Sequence, residues 1–148
     1  MTDLRITPAG EKDYDELTRL WEGSVRATHG FVSEDDLLEI KAQMPDRYLP
    51  SAELYCLREL DGRIAAFAGV DGRRLDMLFV RADMLGRGLG SYLLDYAIRL
   101  GVREADVNEQ NGAALKFYMS RGFAVVSRDQ SDSAGRPYPI LHLALERY

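Results

Sequence analysis

Cysteine is almost missing from this chain, with Cys56 alone in 148 residues. A lone thiol closes no internal disulfide. Cys56 stands between Tyr55 and Leu57 in a strand-like run, where a thiol serves as a small buried apolar residue. Histidine is nearly as scarce, with only His29 and His142. No cluster of Cys, His and carboxylates has the spacing of a zinc site, so no metal is expected. No apolar run reaches the roughly 18 residues of a membrane span. The N-terminus lacks the layout of a signal peptide, which fits a cytoplasmic protein with no membrane partner. Lys and Arg number 19 against 24 Asp and Glu, for a net charge of −5. The basic residues are scattered singly or in pairs, so a nucleic-acid partner is not expected.

What is there reads as one folded domain over 1–148. Hydrophobic residues make up 46% and charged residues 29%, which suits a globular core of ordinary size. Leu4 and Ile6 alternate with polar neighbours and predict a short strand ended by Pro8. Leu17, Leu20, Trp21, Ser24, Val25 and Thr28 share one face at a 3.6-residue period, predicting a helix over 11–27. Ser33 and Asp36 form an N-terminal capping signal for a second helix over 34–45, stopped by Pro45. The period then becomes that of strands. Segments 53–60 and 63–70 are joined by Asp61-Gly62, and a second pair, Asp71-Gly72, leads into 75–80, giving an antiparallel meander. Leu89, Tyr92, Leu93, Tyr96, Ala97 and Leu100 form a helical stripe closed by Gly101. A strand at 104–108, a helix at 111–121 closed by Gly122, and strands at 123–126 and 138–145 complete the order. The class is α/β (α+β): a mixed central sheet of about seven strands with helices on both faces.

The segment Leu78-Phe79-Val80-Arg81-Ala82-Asp83-Met84-Leu85-Gly86-Arg87-Gly88-Leu89-Gly90-Ser91 carries the chemistry. It reads as a strand, a loop with glycine at alternate positions, and a helix start. Unpaired N–H groups and the positive end of a helix dipole suit a phosphate or pyrophosphate. The Walker pattern fits poorly, because its lysine and spacing are missing. A dinucleotide fingerprint remains open on the glycines and Asp106, although the motif follows two hairpins instead of opening a doubly wound sheet. A turn shaped only for packing also remains open.

A second stretch narrows the choice. Asn108-Glu109-Gln110-Asn111-Gly112-Ala113-Ala114-Leu115-Lys116-Phe117-Tyr118, followed by Arg121-Gly122-Phe123, is similar to the Asn-x-x-Ala-x-x-Phe-Tyr-x-x-x-Gly-Phe segment of the GNAT (GCN5-related) acetyltransferases. The glycine loop resembles the acetyl-CoA loop of that family. Both motifs occur in the family's order and spacing, so the resemblance spans most of the chain. Ser24-Val25-Arg26-Ala27-Thr28-His29, Val107 to Asn111, and Gly135-Arg136-Pro137-Tyr138-Pro139 resemble its YjaB-like bacterial branch.

The resemblance implies an N-acetyltransferase that passes the acetyl group of acetyl-CoA directly to an amine of a small molecule or peptide. Gly86, Arg87, Gly88, Leu89, Gly90 and Ser91 are then expected to hold the pyrophosphate. Leu78, Phe79 and Val80 would offer backbone groups to the pantetheine arm, where the strand splays from 104–108. Asn111 matches a coenzyme contact, and Tyr118 matches the general acid that protonates the leaving thiol. An acceptor amine must lose a proton before it attacks, and Asp76, with the side-chain parity of Leu78, is the candidate base. His29 is an alternative base, and with Trp21, Phe31 and Tyr138 it is a candidate wall of the acceptor pocket. Leu85 departs from the family, whose loop opens with Arg or Gln, and Arg87 is expected to supply the missing charge. That departure leaves open a non-catalytic acetyl-CoA-binding module. A homodimer is compatible with the resemblance.

Overall fold

The computed structural model describes residues 4–146. Seven strands form one sheet: β1 (Arg5–Pro8), β2 (Glu53–Arg58), β3 (Ile64–Asp71), β4 (Arg74–Val80), β5 (Glu104–Asn108), β6 (Phe123–Asp129) and β7 (Ile140–Leu145). Their order across the sheet is β1-β2-β3-β4-β5-β7-β6. All neighbours run antiparallel except β4 and β5, which are joined by a helical crossover. Helices α1 (Tyr14–Thr28) and α2 (Glu34–Gln43) cover one face, and α3 (Leu89–Arg99) and α4 (Gly112–Ser120) the other.

Two cores follow from this layering. Leu17, Leu20, Trp21 and Val25 of α1 pack on Cys56, Ile64 and Phe67. Leu89, Leu93, Leu94 and Ala97 of α3 pack on Ala66, Ala68, Leu75 and Ala105. The α1 stripe follows the sequence periodicity, because a helix buries the residues that recur every three to four positions. In α3, Leu89, Leu93 and Ala97 are buried as expected, but Leu94 joins them, while Tyr92 and Leu100, expected on the stripe, are exposed because they flank the face that meets the sheet. Cys56 is fully buried, and desolvation pushes its thiol pKa up to about 12, so it is an inert core residue.

Several boundaries differ from expectation for local reasons. The first helix opens as a 3-10 turn at Glu11–Asp13, where Asp13 Oδ2 accepts from the Gly10 amide at 3.1 Å, and becomes α-helical at Tyr14. The second helix does not stop at Pro45. After Gln43 it widens into a π turn, Met44–Tyr48, closed by Leu49 N–H donating to Met44 O at 2.9 Å. Pro45 lies in the first turn of that segment, where its missing N–H costs no bond. The hairpin at Asp61-Gly62 is longer than two residues, since the Glu59 amide donates to Arg63 O at 2.9 Å. Strand β6 runs on to Asp129 by pairing with β7, and β7 begins at Ile140 instead of Tyr138.

Candidate active site

The sheet opens where a coenzyme was expected. Strands β4 and β5 pair only at Arg74↔Glu104 and Leu75↔Ala105. Beyond that point β5 stays paired with β7, while β4 continues to Val80 paired only with β3. The edge of Leu78, Phe79 and Val80 that faces β5 is therefore left without a strand partner.

The glycine loop follows directly. Arg81 fixes its base, donating from Nη1 to Glu59 Oε2 at 3.0 Å and to Ile64 O at 3.2 Å, and from Nε to Asp83 Oδ1 at 2.7 Å. A 3-10 turn, Ala82–Met84, leads to Leu85. Gly86 and Gly88 both have positive φ, +77° and +80°, a conformation open to glycine at little cost. Gly88 is the N-cap of α3. Among the described residues, the amides of Gly86 through Ser91 meet no backbone or side-chain acceptor. Six free donors at the positive end of a three-turn helix form a fitting cradle for a pyrophosphate. Leu85 is 42% exposed at the mouth of this loop. Arg87 is exposed and makes no ion pair among the described residues.

Asn111 and Tyr118 lie on α4, beyond the splay. Asn111 is the N-cap of that helix, its Oδ1 accepting from the Ala114 amide at 3.2 Å. Tyr118 is 6% exposed, set edge-on to Phe123 and Phe117. Desolvation, with a smaller push from the Asp106 carboxylate, raises its pKa above that of a free phenol. Its hydroxyl therefore keeps its proton through the physiological range, as a proton donor must.

On the opposite face a cavity of about 400 Å³ separates α1 and the π turn from β4, β5 and the 130–139 loop. Trp21, His29 and Tyr138 line it. Phe31 does not line it, but packs against the rings of His29 and Tyr138 at 5.3 and 6.2 Å. Val25, Met77 and Phe79 complete an apolar side, and Asp76, Asp106, Arg74, Asp132 and Arg136 a charged one.

Asp76 reaches this cavity by a different route from the one expected. Leu78 packs with Leu75 on the α3 side, whereas Asp76 shares the cavity with Met77 and Phe79. A bulge explains the difference: Gly69 faces Met77 and Val70 faces Leu75, so Asp76 is the extra residue and resets the alternation. Its Oδ1 accepts from Arg74 Nε at 2.5 Å.

Several residues to which sequence reading gave no place in the cavity, or another one, complete the surroundings. Asp106 lies 3.9 Å from Arg74 Nε and accepts from His142 Nδ1 at 2.7 Å, while His142 Nε2 donates to Asp129 at 2.7 Å. Two carboxylate acceptors favour the doubly protonated ring, and the pKa of His142 is raised accordingly. Arg136 is 8% exposed and bonds Glu39 Oε1 at 2.8 Å and Asp132 Oδ2 at 3.4 Å. Tyr138 donates to Asp36 and accepts from the Ser33 amide at 3.1 Å. These bonds fasten the 130–139 loop to the start of α2. Asp106 was accessible to sequence reading, because it precedes Asn108 by two on a strand and shares its face.

Comparison with known proteins agrees with this geometry. A family model described as an acetyltransferase (GNAT) domain matches residues 27–137. The peptidyl-lysine N-acetyltransferase YjaB of Salmonella typhimurium is 33% identical over 141 residues, which is 95% of this chain and 97% of the relative. The peptidyl-lysine N-acetyltransferase YiaC of Escherichia coli is 26% identical, covering 89% of this chain and 91% of the relative. The solution structure of apo-form YjaB from Escherichia coli superposes with a TM-score of 0.89 at 32% identity, covering 98% of this chain and 99% of that one. The chain belongs to the GNAT acetyltransferase family and is an N-acetyltransferase that uses acetyl-CoA as its donor.

Proposed function

We propose that the acceptor is the Nζ amine of a lysine side chain carried on a peptide. The observation that carries this reading is the two-sided cavity. Trp21, Val25, Met77 and Phe79 give an apolar wall for an aliphatic stem, and on the charged side the carboxylates of Asp76, Asp106 and Asp132 outnumber the guanidiniums of Arg74 and Arg136, which suits a cationic head. The names of the YjaB and YiaC relatives support the same class of acceptor.

Within this reading each part of the site has one task. When bound, acetyl-CoA supplies an activated acetyl thioester. The amides of Gly86 to Ser91 hold the pyrophosphate, and the exposed flank of Arg87 adds charge where Leu85 has none. The free edge of Leu78, Phe79 and Val80 offers backbone hydrogen bonds that align the arm and polarise the carbonyl. Asn111 flanks the opening, and Tyr118 Oη is the proton donor on the sulfur side. Asp76, paired with Arg74, faces the acceptor and draws the ammonium inward.

The test is an acceptor panel read by mass spectrometry: a lysine peptide with a blocked α-amine, a peptide whose only amine is its N-terminus, and spermidine. Acetylation of the blocked lysine peptide at Nζ is the expected result. Turnover of spermidine or the α-amine alone overturns the lysine assignment.

A further inference from the structure

We infer that His29 is the catalytic base, taking the proton of the acceptor ammonium on Nε2. The inference holds for any amine acceptor and does not depend on lysine being the natural one.

A chain of hydrogen bonds fixes the state of this ring. The Ala114 amide can only donate, so Asn111 Oδ1 is the acceptor at 3.2 Å. The other end of that amide, Nδ2, must therefore face His29, and it lies 3.3 Å from Nε2. A facing N–H requires Nε2 to be unprotonated. On the other side of the ring Nδ1 lies 2.7 Å from Thr28 Oγ1, whose own proton goes to Ser24 O at 2.7 Å. Nδ1 thus carries the proton. Every donor in the chain meets an acceptor only if His29 is the neutral tautomer with its lone pair on Nε2. Turning the Asn111 amide to suit a protonated ring would sacrifice the α4 cap.

The location suits the chemistry. His29 lines the acceptor cavity beside Phe79, its ring 6.4 Å from the Phe79 ring, at the end of β4 where the sheet opens. Charged groups on the surrounding elements are engaged elsewhere: Asp36 of α2 with Tyr138, Asp76 of β4 with Arg74, Asp106 of β5 with His142, and Arg136 with Glu39 and Asp132. Burial alone pushes the pKa of His29 below its usual value, which favours the free base that the hydrogen-bond chain requires.

The proton balance is simple. The ammonium displaces Asn111 Nδ2 as the donor to Nε2. Its N–H bond breaks, the electron pair stays on the amine nitrogen for attack, and Nε2–H forms. The resulting imidazolium keeps its Nδ1–H on Thr28, and Nε2 returns the proton to solvent.

The test compares the wild type with His29→Ala over a pH series, using the blocked lysine peptide, or spermidine if the peptide is not turned over. Acetyl-CoA affinity, measured by calorimetry, reports whether the variant is folded. For the wild type, kcat/KM should fall on the acid side with an inflection below about pH 6.5. In His29→Ala, kcat should drop by about 100-fold, that inflection should vanish, and added imidazole should restore part of the rate. Thr28→Val, which strips Nδ1 of its partner, should lower kcat with little change in KM. A His29→Ala enzyme that binds acetyl-CoA and keeps the wild-type kcat and pH profile overturns the inference. So does a slowed enzyme whose inflection persists and which imidazole does not rescue. Failure of the lysine peptide alone, with a His29-dependent profile on spermidine, rejects the acceptor assignment and leaves this inference standing.

Discussion

Asn111 Nδ2 and His29 Nε2 meet at 3.3 Å across 82 residues of sequence, linking the cap of α4 to the loop after α1. One side chain thus does two things: its oxygen caps a helix and its nitrogen holds a ring that lines the cavity. Replacing that nitrogen by oxygen separates the two. In Asn111→Asp the cap remains, since Asp is as good an N-cap as Asn. The new carboxylate faces Nε2 and favours the imidazolium. The pKa of His29 should therefore rise, by about one unit or more, and the inflection of kcat/KM should move to higher pH. Titration by NMR, with His142 as the second histidine signal, reads the shift directly. An unmoved His29 resonance would show that the contact does not persist in solution.

Tyr118→Phe keeps the ring against Phe117 and Phe123 and removes only the hydroxyl. Thermal midpoint and acetyl-CoA affinity should change little. Steady-state kinetics should show kcat reduced by about 100-fold at neutral pH, with the loss diminishing at alkaline pH, where a free thiolate is a tolerable leaving group. An unchanged kcat and an unchanged profile would remove Tyr118 from the acid role.

Leu85 and Arg87 offer a paired test at the mouth of the glycine loop. Leu85→Arg places a guanidinium where the family ordinarily has a polar or basic side chain, and should tighten acetyl-CoA by about fivefold, the scale of one exposed charge-assisted contact. Arg87→Ala should weaken binding by a similar factor. Calorimetric dissociation constants at low and high salt check both. If Arg87→Ala binds as the wild type does, this arginine does not compensate for Leu85.

The stability of the fold should also depend on pH through His142. Its folded pKa is raised by hydrogen bonds to Asp129 and Asp106 above the usual value of 6.5. The stabilisation is then complete below about pH 6.5 and is lost as pH rises through the folded pKa. The urea midpoint of the wild type should exceed that of His142→Gln most at about pH 6, and the gap should close towards about pH 9. A gap that stays constant with pH would mean the ring contributes by packing alone.

Much of this was legible in order along the chain. The stripes of α1 and α3, the meander of β2 to β4 and the glycine loop follow from spacing, because burial on one face imposes a period and a tight turn imposes glycine. Asn111 and Tyr118 could be matched because a helix fixes their separation. Asp76 could not be placed correctly, since alternation assumes a regular ladder and the bulge opposite Gly69 and Val70 breaks it. Arg74 and Asp132 were silent in sequence, and Asp106 and Arg136 carried no sign of a place in the cavity, for another reason. Each is an ordinary surface residue type, and only the meeting of β4, β5 and the 130–139 loop gathers them into one wall.

The sequence by itself determined the local devices: the helices, the turn chemistry, the loop that can cradle a pyrophosphate, and the absence of a disulfide framework. These depend on neighbours within a few residues, where the covalent chain already sets the geometry. Tertiary structure alone decided where β4 and β5 part, which residues line the cavity beside that opening, and how His29 is held between Thr28 and Asn111. The last follows from a chain of hydrogen bonds that runs from the Ser24 carbonyl to the Ala114 amide, and no short window along the sequence contains both.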